Sequence, residues 1–165
     1  MSDPNDCTVG WIGAITTEFI AARAFLRRPA TRDARDTNSY KFGRIGEHIV
    51  AIAVLPMGEY GIALAADVAA NISRRFPDIR IGLMVGIGGG APSPTHGIRL
   101  GDVIVSVPTA GQSGVFQYGF GKSIQETSFQ QTRTLNQPPQ ALLAAAATLK
   151  SDHMIDGNGN KDTIK

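Results

Sequence analysis

Glu18 follows the apolar run Thr8–Ile15, "TVGWIGAI", within the segment Thr16-Thr17-Glu18. A carboxylate at the mouth of a strand can orient a water or act as a general base. It can equally be an ordinary first-turn acid, favoured by the positive end of a helix dipole. A second candidate is "LMVGIGGGAPS", Leu83–Ser93, in which Gly86-Ile87-Gly88-Gly89-Gly90 places four glycines in five positions after an apolar run. Glycine is costly to order and has no side chain to pack. Such a loop either lines a small-molecule pocket with bare backbone or makes a tight strand exit against a neighbouring element. It is no phosphate-binding P-loop, because G-x-x-x-x-G-K-[ST] is absent. It is a poor dinucleotide fingerprint as well: the glycine spacing is wrong, and Pro92 and Pro94 stand where a helix should begin. A third glycine-bearing loop, "PMGEYG", spans Pro56–Gly61.

The remaining reactive side chains point to structure. Asp102, in "LGDVIVS", precedes an apolar strand, where a carboxylate most often satisfies backbone amides in a turn. His48, His96 and His153 lie far apart without ligand spacing, and Cys7 has no histidine motif near it. No metal site, nucleophile triad or cofactor is expected. Arg99 can meet an anion, but a lone surface arginine needs no special explanation.

Composition fits a globular chain: 165 residues, 42% hydrophobic and 18% charged. The formal net charge of +2 is too small and too scattered to argue for nucleic acid. The single cysteine excludes an internal disulfide and fits a reducing compartment. The start, "MSDPNDC", lacks the basic and apolar regions of a secretory signal. The longest apolar helix candidate, Ile62–Ile72, is interrupted by Asp67 and is too short to span a bilayer. A cytoplasmic protein without membrane contact is the expectation.

The elements that must position these residues alternate. Thr8–Ile15 reads as a buried strand. A helix capped by a hydroxyl at Thr16-Thr17 should run to about Arg28. "RRPATRDARDTNS" reads as a polar, charge-rich loop. "YKFGRIGEHIVAIAVL" reads as a hairpin turning at Gly46-Glu47, its second strand running from His48 to Leu55. A helix follows over Ile62–Arg75, then a strand over Ile79–Val85 that feeds the glycine loop. "IRLGDVIVSVP" reads as a strand, and "GVFQYGFG" as one more. Pro138–His153 is an alanine-rich helix, followed by a polar tail. The order predicts an α/β layer protein. In open α/β sheets ligands bind beyond the carboxyl ends of strands, and the loops Gly13–Glu18, Pro56–Gly61 and Gly86–Ser93 fall there.

Taken together, "VGWIGAITTE", "PMGEYG", "LMVGIGGGAPS" and "IRLGDVIVS" resemble, in this order, the nucleoside phosphorylase and nucleosidase superfamily. They are most similar to phosphorylase-like domains at the N-terminus of large fungal receptor-type proteins that continue into ATPase and repeat regions. The resemblance covers Thr8–His153. It implies one domain over residues 8–153, with residues 1–7 and 154–165 as flexible tails. The implied fold is a three-layer α/β/α domain around a mixed, twisted sheet, incomplete at its C-terminal end. The implied chemistry is cleavage of a purine nucleoside's N-glycosidic bond, with Glu18 orienting or deprotonating the attacking water. Gly58, Gly86, Ile87, Gly88, Gly89 and Gly90 would line the base and ribose, and Asp102 maps to a structural aspartate.

Departures from the pattern bear on mechanism. The family's G-D-P-x-R phosphate loop is replaced here by Gly13-Ala14-Ile15-Thr16-Thr17-Glu18, without an arginine, and Ile87 stands where a serine or threonine often serves phosphate. Both favour hydrolysis or binding over phosphorolysis. The methionine-glutamate motif for the ribose and the aspartate that protonates the leaving base lie beyond the stretch that matches. None of Asp152, Asp156 and Asp162 lies in the family's strand-end setting for that acid. General acid catalysis contributes roughly 10²–10⁴-fold, so weak or no turnover is expected of these residues alone, with a homo-oligomer or another chain completing the domain. The alternative is a non-catalytic, ligand-sensing module of a larger receptor-type protein.

Overall fold

The computed structural model describes residues 6–32, 38–94, 97–109, 112–115, 121–122, 130–131 and 136–157. The chain divides into two compact units, Met1–Ala91 and Pro92–Lys165.

The first unit is built on a five-stranded sheet. Its strands are β1 (Val9–Gly13), β2 (Arg27–Arg32), β3 (Tyr40–Ile45), β4 (His48–Val54) and β5 (Ile81–Met84), in the order β2-β3-β4-β1-β5. β1 runs parallel to both β4 and β5, while β2, β3 and β4 pair antiparallel, so the sheet is mixed. Two helices, α1 (Thr16–Ala24) and α2 (Ile62–Arg75), connect and cover it.

Alternation along β1 and β4 decides what each face buries. Val9, Val50 and Ile52 pack with Ala22 and Leu26 of the α1 segment. Ile12, Ala51 and Ala53 pack instead with Val68 and Ile72 of α2 and with Phe76. The near-continuous apolar run of β4 is thus explained by a helix on each face. Phe76 is fully buried and meets Tyr40 edge-on, with ring centroids 5.4 Å apart, and Phe42 at 6.3 Å. Burying a phenylalanine side chain of this kind contributes about 1.5–3 kcal/mol. The hairpin turns at Gly46-Glu47, since Ile45 pairs with His48. Gly46 adopts φ 57°, which such tight turns demand and glycine supplies without a steric penalty.

Three expectations from sequence are corrected here. The N-cap of α1 is Ile15, and no side chain caps it with a hydroxyl; Thr16 is already the first helical residue. The helix ends at Ala24, short of Arg28. "RRPATR" forms β2, not a loop. It lies at the edge of the sheet, where Pro29 takes no hydrogen bond away from a central ladder. Its register on β3 shifts between Arg27 and Ala30, and Arg28 there adopts φ 51°.

The second unit contains the two-residue strands β6 (Gly121–Lys122) and β7 (Gln130–Gln131), paired antiparallel, and the helix α3 (Gln140–Asp156). α3 extends past His153, and none of its residues is fully buried. The expected strand over "IRLGDVIVSVP" is not formed. Asp102–Pro108 carries no ladder, and Val103, Ile104, Val105 and Val107 are exposed. Most of the expected strand in "GVFQYGFG", residues 116–120, lies outside the described residues. Among the described residues, no helix is long and apolar enough to cross a membrane.

Candidate functional site

β4, β1 and β5 are adjacent and parallel, so their carboxyl ends share one edge of the sheet. That edge carries the three loops singled out in the sequence. The ladder continues just past the strands: the Leu55 amide donates to the Gly13 carbonyl at 3.2 Å, and the Val85 amide to the Ile12 carbonyl at 3.2 Å. The first and third loops therefore leave the sheet side by side.

Glu18 joins them. It is the one buried charged residue among the described residues, with 9% of its surface exposed. One carboxylate oxygen, Oε2, accepts the amides of Ala14 at 2.6 Å and Ile15 at 3.2 Å. The other, Oε1, accepts the amide of Ile87 at 2.7 Å, 69 residues away in sequence. Locally this is half of a capping box, in which the N3 acid reaches back to the N-cap amide. Ile15 has no side-chain oxygen to return the bond. The helix N-terminus, with its unpaired N–H groups, is where a carboxylate is best accommodated.

Burial alone would raise the Glu18 carboxyl, but the N–H groups of Ile87, Ala14 and Ile15 together outweigh it and hold its pKa below the ordinary 4.5. All three bonds stabilise the charged form. The group is ionised at neutral pH and is a weak proton acceptor there. Three bonds use three of the roughly four lone-pair positions of a carboxylate. The fourth lies on Oε1, which accepts a single bond from these amides.

The glycines of the loop divide by what surrounds them. A Cβ at Gly86 would lie 2.5 Å from Glu18 Oε1 and 2.9 Å from its Cδ, so at this exposed strand exit the Glu18 carboxylate stands where a side chain would begin. A Cβ at Gly88 or Gly89 would meet nothing within 4 Å. None of Gly86, Gly88 and Gly89 adopts a positive φ. Among the described residues, neither backbone conformation nor packing accounts for glycine at 88 and 89. Both are exposed, as are Gly90 and the Ile87 side chain. Gly58 has a different explanation: φ 83°, in a turn closed by the Glu59 amide on the Pro56 carbonyl at 3.2 Å. The loop it occupies is exposed throughout Pro56–Gly61.

Asp102 accepts the Arg99 amide at 2.8 Å, the turn-closing role read from the sequence. His48 and His153 are exposed at the start of β4 and on α3, Cys7 is buried in the core, and His96 lies outside the described residues. Among the described residues, no three metal-ligating side chains gather. Within the second unit, Val103, Val105 and Val107 face Ala146, Leu149, Lys150, His153 and Met154 of α3 across a groove of about 410 Å³. None of the sequence-derived site residues lines it. The amides of Ala14, Ile15 and Ile87 were legible in sequence only as loop backbone. Their convergence on one carboxylate is a tertiary fact.

No family model matches the chain. A curated protein of Hyaloscypha variabilis, described as a nucleotide-binding leucine-rich repeat (NLR)-like protein, is 45% identical to it over 156 residues. The match takes in 92% of this chain and 16% of that protein. The chain thus spans about one sixth of the length of this curated relative.

Proposed function

We propose that this chain belongs to a nucleoside phosphorylase-like domain, of three-layer α/β/α type, that serves as the ligand-recognition module of a larger NLR-like protein. Its ligand is a purine nucleoside or a close relative. One observation carries this proposal: an ionised carboxylate, fixed beside a glycine stretch whose openness no described residue explains, at the carboxyl ends of three adjacent parallel strands. Bare backbone at Gly88 and Gly89 gives a flat base or ribose room to approach, and Glu18 Oε1 offers one acceptor to a hydroxyl. The NLR-like relative supports the receptor context.

A second reading, hydrolysis of the N-glycosidic bond, is favoured by the remaining lone-pair position on Oε1, which would orient an attacking water. The depressed basicity of Glu18 makes it an orienting group more than a base, and water rather than phosphate is the nucleophile that a fixed negative charge tolerates. Recognition with little turnover is the better fit. Incubation with inosine, adenosine or guanosine, followed by thermal melting and chromatography for free base, separates the two. Stabilisation without base release is the result expected of a recognition module. Release above blank that disappears in Glu18→Gln establishes hydrolysis, and neither stabilisation nor release refutes both.

A further inference from the structure

We propose that Gly86 is a positioning residue: its missing side chain leaves the volume that the Glu18 carboxylate occupies, so the pair locks the exit of β5 to the start of α1. The inference deepens the proposed site, since it concerns how Glu18 is held there, but its test needs no nucleoside.

The geometry is specific. A Cβ at 86 would stand 2.5 Å from Oε1 and 2.9 Å from Cδ of Glu18, distances that real Cβ atoms essentially never show, and 3.1 Å from Oε2, itself a tight contact. Nothing else comes as near as these atoms. The closest obstruction is thus one side chain, and that side chain cannot swing aside freely. Its oxygens are fixed by the amides of Ala14, Ile15 and Ile87. The Ile87 amide belongs to the residue next to Gly86, so a displaced carboxylate loses the bond that ties the two loops. Gly86 does not need glycine for its backbone, because its φ is not positive. The three atoms nearest an alanine Cβ at 86 all belong to Glu18. Gly88, two residues on, has the same freedom of backbone and no such neighbour.

Among the described residues of the elements around it, no other charge competes for the carboxylate. β1 and β5 carry none. The other charge on α1 is Arg23, in the last turn and over the Phe19 ring at 5.6 Å. On the neighbouring β4 loop, Glu59 is exposed.

The test is a double-mutant cycle on the 165-residue chain with Gly86→Ala, Glu18→Ala and their combination, each melted from pH 7 to pH 3. Gly86→Ala is expected to lower Tm by several degrees at pH 7. In the Glu18→Ala background the same change is expected to have almost no effect. Gly86→Ala should also lose the Glu18-linked fall in stability on acidification that the parent shows. Should Gly86→Ala fail to fold while the double variant folds, the lock is supported. An equal cost in both backgrounds, no cost in either, failure of both variants to fold while Glu18→Ala folds, or an unchanged pH profile overturns it.

Discussion

Glutamine at position 18 keeps the shape of the side chain and removes its charge, so it isolates what the carboxylate contributes. The amide oxygen of Glu18→Gln can still accept the Ala14 and Ile15 N–H groups. Its NH2 group must then face the Ile87 N–H, donor against donor, across a contact that is 2.7 Å in the parent. A hydrogen bond to a charged group contributes about 1.5–3 kcal/mol. Losing one, and weakening two, is expected to cost on the order of 3 kcal/mol. For a chain of this length that corresponds to a fall in Tm of roughly 6–12 °C. The dependence on pH has a definite sign. Glu18 has a folded pKa below 4.5, so its ionisation stabilises the fold above the unfolded value, and that contribution is lost as pH falls through the folded one. The parent and Glu18→Gln should differ by a constant amount from pH 7 to about 5 and converge on further acidification. Urea titrations across this range measure the difference. A difference under about 0.5 kcal/mol at pH 7, the size typical of an indifferent surface change, or one that stays constant down to pH 3, would refute the assignment of these three bonds.

Other substitutions separate the site from the core. Phe76→Ala removes a fully buried ring between Tyr40 and Phe42 and should cost about 3–5 kcal/mol in urea titration, at neutral and acid pH alike. Gly88→Ala should leave stability unchanged or raise it by roughly 0.4–1 kcal/mol, because its Cβ enters open space at an ordinary φ. On the proposed function, Gly88→Ala should nonetheless weaken nucleoside binding, which calorimetric titration of the variant checks.

Where local pattern and tertiary partner agreed, the sequence was legible. The β3–β4 hairpin turned at Gly46-Glu47 as its turn chemistry requires, and α2 occupies the stretch that its apolar spacing marked. β2 was not legible, because "RRPATR" is charged and carries a proline. It is a strand only by virtue of the outer edge that β3 presents to it. Residues 102–108 show the converse. Their β-branched run satisfies a strand's local preference, yet a strand exists only with a ladder partner, and this segment has none among the described residues. Glu18 lies between these cases. Its place in the first turn of a helix was readable, whereas its bond to Ile87 depends on β1 and β5 becoming neighbours. The loop glycines looked alike in sequence and are not alike: Gly86 abuts the Glu18 carboxylate, Gly58 serves a turn, and a Cβ at Gly88 or Gly89 would meet nothing within 4 Å.

Calorimetric titration of a purine nucleoside into the parent chain, repeated with Glu18→Gln, first without phosphate and then with it, decides whether this strand-end edge is a nucleoside site. The proposed function predicts saturable binding by the parent, weakened in Glu18→Gln and unchanged by phosphate. Absence of binding, or binding that Glu18→Gln leaves intact, would contradict it.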